Sequence, residues 1–87
     1  MSQPNLFDEQ SAKKIGDQLK IDWSKYDLSQ FCMGMNVELE HGLHDPETNV
    51  TNNDPLTTGK IAYAHMKEFA DYYIRLEKME EEAEKEL

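Results

Sequence analysis

The chain has 87 residues, of which 18 are acidic and 9 basic, for a net charge of −9. This length holds one small domain, and such a domain buries only about 60–65% of the surface its unfolded chain exposes. The charge argues against phosphate backbones and anionic bilayers as partners and favours a basic protein or a cation.

No apolar run approaches the roughly 20 residues of a membrane span. The N-terminus lacks the basic stretch and apolar core of a secretion signal, so a soluble, cytoplasmic protein is expected. The single cysteine, Cys32, has no internal disulfide partner and sits in an apolar run, where it reads as a small core side chain.

The first helix is expected over about Asp8 to Lys20, with Asp8 capping it and Ile15 and Leu19 forming a narrow apolar stripe. A turn through Ile21–Tyr26 follows, and Trp23 reads as a plug for the core. The second helix opens at Asp27, with Gln30 three positions later in a capping-box pattern. It should run to about His41 and end on Gly42 in a left-handed cap. Leu28, Phe31, Cys32, Met35 and Leu39 share one face, while Met33 and Val37 make the other side apolar too. This is the pattern of a central, buried helix. Gly34 in its middle costs about 1 kcal/mol relative to Ala, so a close neighbour is expected there.

From Leu43 to Asp54 the density of Asp, Asn, Thr and Pro predicts one long loop. It departs from a calcium-binding loop at Val50 and Leu56, where glycine and glutamate would be needed. Asp54-Pro55 then starts a third helix, expected to run unbroken to about Glu84. Ile61, His65, Phe69, Tyr72, Leu76, Met79 and Ala83 would form its apolar stripe. Tyr72 should pack inward, with Tyr73 covering an edge. The predicted fold class is therefore all-α, a small three-helix bundle with a long C-terminal helix. Residues 1–87 are read as a single helical domain with its core over about 8–79 and an acidic helix end over 80–87.

The expected core comprises Leu28, Phe31, Met35, Leu39, Ile61, Phe69, Tyr72 and Leu76, closed by Ile15, Leu19 and Trp23.

The stretch Val37-Glu38-Leu39-Glu40-His41-Gly42-Leu43-His44 holds two glutamates and two histidines. Glu38 and His41 are three apart on the second helix, and His65 and Glu68 are three apart on the third, so each pair shares a face. If the two helices pack antiparallel, the pairs meet. Two carboxylates and two imidazoles suit zinc, iron or manganese. The arrangement is also half of a ferritin-like di-iron site, which would require a dimer. The competing reading is a hydrogen-bonded network, with Lys60 pairing Glu38 or Glu68, that fixes helix register. Glu40 and His44 read as surface residues. No nucleophile elbow, phosphate loop or CxxC pair is present.

The run from Phe31 to Glu80, with Glu38-Leu39-Glu40-His41 followed by Lys60, His65, Glu68 and Tyr72-Tyr73, resembles a family of small uncharacterised prokaryotic and viral helical proteins. That family carries only a domain-of-unknown-function label. The resemblance covers about residues 10–83 and supplies no activity. It implies proline where this chain has Ala70, a departure expected to relax a local bend. The leading functional expectation is a non-enzymatic binding module with a Glu/His cluster suited to a metal; the alternative is a small metalloenzyme using the same residues. Another protein, or self-association through the C-terminal helix, is the expected partner.

Overall fold

A computed structural model of the chain describes residues 6–86. Four α-helices follow in order: α1 (Glu9–Gln18), α2 (Leu28–Glu38), α3 (Pro55–Glu68) and α4 (Tyr72–Lys85). The described residues contain no β-strand. A 3-10 turn, Leu39–His41, extends α2. No helix among the described residues is long and apolar enough to cross a membrane.

Two of the helix starts follow from their capping residues. Asp8 accepts a hydrogen bond from the Ser11 N–H, and the Ser11 side chain answers to the Asp8 backbone, closing a capping box. Asp54 accepts from the Thr57 N–H and hydroxyl, and Pro55 occupies the first turn, where no N–H is missed. At α2 the expected box does not form. The Asp27 carboxylate takes the Ser29 hydroxyl instead, 2.6 Å away, and Gln30 Oε1 is buried without a partner. Gly42 also differs from expectation. Its φ is −108°, not left-handed, and the space beside its Cα is filled by Asn53. The residue is required by close approach rather than by a helix cap.

The predicted long third helix is two helices. Phe69 is extended (φ −142°, ψ 124°), and a turn closed by the Tyr72 N–H on the Phe69 carbonyl leads into α4. The bend at Ala70 is therefore kept without proline. The inward face also differs from the expected stripe, on both sides of the break. On α3 the buried face is Thr58, Gly59, Ala62 and Met66, with Ile61 and His65 only half-buried. Phe69, expected in the core, is 58% exposed. On α4 it is Tyr73, 1% exposed, that enters the core, and Tyr72 lies at the edge.

α2 sits at the centre and packs against the other three helices. Its Phe31, Cys32 and Met35 join Ala12, Ile21, Ala62, Met66 and Tyr73 in one core cluster. Trp23, Ile15 and Leu19 close that core from its edge as half-buried side chains. Trp23 meets Phe31 edge-on at 5.7 Å and donates its indole N–H to Asp17, keeping the polar end of a large apolar ring satisfied. Gly16 leaves the room this ring needs. Beyond Leu76, each described residue of α4 is exposed.

Candidate functional site

The end of α2, the 3-10 turn after it and the last turns of α3 bring two of the four expected site residues, His41 and His65, to the buried carboxylate of a third, Glu38. Glu38 is 4% exposed. His41 Nε2 lies 3.8 Å from its Oε1 and His65 Nε2 lies 3.8 Å from its Oε2. Glu68 stands on the far side of His65, its Oε1 3.5 Å from Nδ1. The four residues thus form a chain, His41–Glu38–His65–Glu68, in which each imidazole addresses a different oxygen of Glu38. Among the described residues no group of three or more His, Cys, Asp or Glu side chains is arranged to hold a metal ion. His41 also reaches Glu40 at 3.3 Å, while Lys60 is exposed and pairs with neither Glu38 nor Glu68. His44 is exposed, as expected.

The shortest contact in this cluster comes from Tyr73, a residue expected to cover an edge of the bundle. The Tyr73 hydroxyl donates to Glu38 Oε2 at 2.7 Å, the one buried side-chain to side-chain hydrogen bond among the described residues. A buried carboxylate is costly unless hydrogen-bonded, so this donor supports the burial of Glu38. Burial, and then the bond to Glu38, push the Tyr73 phenol far above its ordinary range, so it remains a proton donor. His65 stacks on Tyr72 at 4.4 Å and meets Tyr73 edge-on, which fixes its ring. The clue lay in Gly34, one turn before Glu38: a side chain there would collide with the Tyr73 ring.

Above the same tyrosine runs a groove of about 1010 Å³ between α2, α4 and the segment that leads into α1. Leu6, Phe7, Met33, Val37 and Leu76 supply its apolar surface. Asp8, Glu9 and Glu40 edge one side, and Glu77, Glu80, Glu81 and Glu84 line α4 on the other. No lysine or arginine lines it among the described residues. The Phe7 backbone is clamped to α2 by Asn36, which accepts from its N–H and donates to its carbonyl, both at 3.0 Å. The Cys32 thiol also donates to that carbonyl, and burial pushes it up from its ordinary range, so it is a packed thiol rather than a nucleophile.

A sequence family described as a protein of unknown function, DUF5661, matches residues 12–82. The chain belongs to this family. The matched segment contains all four residues of the Glu/His chain, Tyr73, the whole of α2 and most of α4. It leaves out the Leu6–Glu9 wall of the groove and Glu84. No curated protein and no solved structure matches the chain.

Proposed function

We propose that this chain is a non-enzymatic binding module, cytoplasmic in setting, that takes a basic segment of another protein into the groove between α2 and α4. The observation that carries the reading is the groove itself: an apolar floor edged by seven carboxylates with no cation among its described lining residues. Apolar area supplies affinity, and a single-sign rim selects charge and speeds encounter. In this reading the Glu38 chain is scaffold. The Tyr73–Glu38 bond ties α4 to α2 and so sets the separation of the groove walls. Support for scaffold over a single-metal centre comes from the two imidazoles, which approach opposite oxygens of one carboxylate instead of converging on one point.

The test is an amide chemical-shift titration of the folded chain with short lysine-rich and glutamate-rich peptides. The reading predicts shifts in Met33–Val37 and Leu76–Glu84 with the basic peptide alone. Equal response to both peptides, or shifts confined to the 43–54 loop, would reject it.

A further inference from the structure

The shape of the groove says what form the basic segment takes. Both long walls are helices. On α4 the lining residues Tyr73, Leu76, Glu77, Glu80, Glu81 and Glu84 recur at helical spacing and extend for three turns, about 17 Å at 1.5 Å per residue. On α2 the lining residues Ser29, Cys32, Met33, Asn36 and Val37 follow the same period. The described residues offer no sheet edge, so an extended peptide has no backbone ladder to join. A helix can instead lay its side-chain ridge between these two rows. Met33 on the floor adapts its shape to the ridge.

The charge of the occupant follows from the state of α4 alone. Glu77 and Glu81, and Glu80 and Glu84, are like charges one turn apart, each pair costing the helix about 0.2–0.5 kcal/mol. They also crowd the negative end of the helix dipole. The cations of α4, Arg75, Lys78 and Lys85, lie outside the groove lining, and Arg75 is engaged by Asp71. Among the groove glutamates, Lys78 and Lys85 stand one turn from Glu81 alone, so the repulsion among Glu77, Glu80 and Glu84 is left for an external cation to relieve. A second copy of this chain, itself at −9, would add to it.

We infer that the groove binds an amphipathic helix of about three turns, apolar on one face and flanked by lysine or arginine, lying between α2 and α4. This rests on the binding-module reading and specifies its partner. Flanking cations would pair with Glu77, Glu80, Glu81 and Glu84 as flanking charges do in coiled coils.

Three labelled peptides of about 18 residues, long enough to form a helix on binding, decide it. One places leucines at i, i+3, i+4 and i+7 with lysines flanking them. The second permutes the same residues to abolish the stripe. The third keeps the stripe and replaces lysine with glutamate. Fluorescence anisotropy should show the first binding at least about tenfold more tightly than either control, a difference of about 1.4 kcal/mol. The double variant Glu80→Lys/Glu84→Lys should lower its affinity by at least about tenfold, because two rim contacts become repulsive. Glu82→Lys/Glu86→Lys makes the same change in net charge off the groove and should stay within about twofold. Equal binding of the permuted peptide would overturn the helical occupant while leaving a basic segment in the groove. Equal loss in both double variants would show mere charge attraction and overturn the proposal. Absence of groove shifts with every peptide would overturn both readings, and a dimer broken by Glu80→Lys/Glu84→Lys would make a second copy the occupant instead.

Discussion

Tyr73, on the first turn of α4, donates its hydroxyl to Glu38 at the end of α2, joining two buried side chains 35 positions apart. The bond fastens the last helix to the centre of the bundle. Tyr73→Phe keeps the ring and leaves the carboxylate without its donor. Stability should fall by about 1.5–3 kcal/mol, the range for a hydrogen bond to a charged group. Urea unfolding of Tyr73→Phe, Glu38→Gln and the double variant measures the coupling. Independent, additive losses would mean the bond does not tie the helices together.

Gly34 gives the same tyrosine its space. Alanine is the better helix former by about 1 kcal/mol. Here its methyl group would collide with the Tyr73 ring, which is 1% exposed and has nowhere to turn. Gly34→Ala should therefore destabilise by about 1–3 kcal/mol, the cost of overpacking a core. A gain in melting temperature would show that α4 does not dock here.

The turn between α3 and α4 is ready for proline. Phe69 is extended, as a residue before proline prefers, and Asp71 (φ −104°, ψ 26°) suits the third position of a type I turn. Ala70 is the second position, and its N–H donates to no acceptor found among the described residues. Ala70→Pro should stabilise by about 0.4–1 kcal/mol through the unfolded chain. A drop in the thermal midpoint would mean that α3 and α4 need a freer joint.

Acid should weaken the helix starts. Hydrogen bonds from the Thr57 hydroxyl and N–H hold Asp54 below its ordinary value of 3.8, and those from the Ser11 N–H and hydroxyl do the same for Asp8. A carboxylate with a depressed folded pKa contributes stability that is present above its unfolded value and lost as pH falls through the folded one. Unfolding midpoints should thus decline below about pH 4. Asp54→Asn keeps a capping oxygen, so it should change little at neutral pH but flatten the acid decline. An unchanged slope in circular dichroism melts would remove Asp54 from this account.

Metal addition should leave the protein as it is. A site with a Kd of about 10 μM, held at 1 mM metal, would stabilise the fold by about 2.7 kcal/mol. With the two imidazoles on opposite oxygens of Glu38, zinc, iron(II) and manganese should produce no such rise in melting temperature. His65→Ala should destabilise the metal-free protein, since it removes the ring between Tyr72 and the Glu38 pocket. A clear thermal shift with zinc would instead make the Glu38 cluster a metal centre.

Local signals were legible in the residues themselves. The caps at Asp8 and Asp54, the Asn- and Asp-rich loop, and the apolar run of α2 each depend on neighbours within a few positions. So did the pairing of Glu38 with His41 and of His65 with Glu68, because helical spacing puts each pair on one face. What periodicity could not register was the break at Phe69–Asp71. No glycine or proline marks it, and the stripe from Ile61 to Leu76 reads as continuous. Packing accompanies it: after the bend the Tyr73 ring fills the gap at Gly34 and its hydroxyl reaches Glu38, contacts that no spacing along the chain announces. The groove is a tertiary product for the same reason. Glutamates at 77, 80, 81 and 84 are only a solvated helix face until the bend lays α4 beside Met33 and Val37, and only then do charge and apolar surface share one concavity.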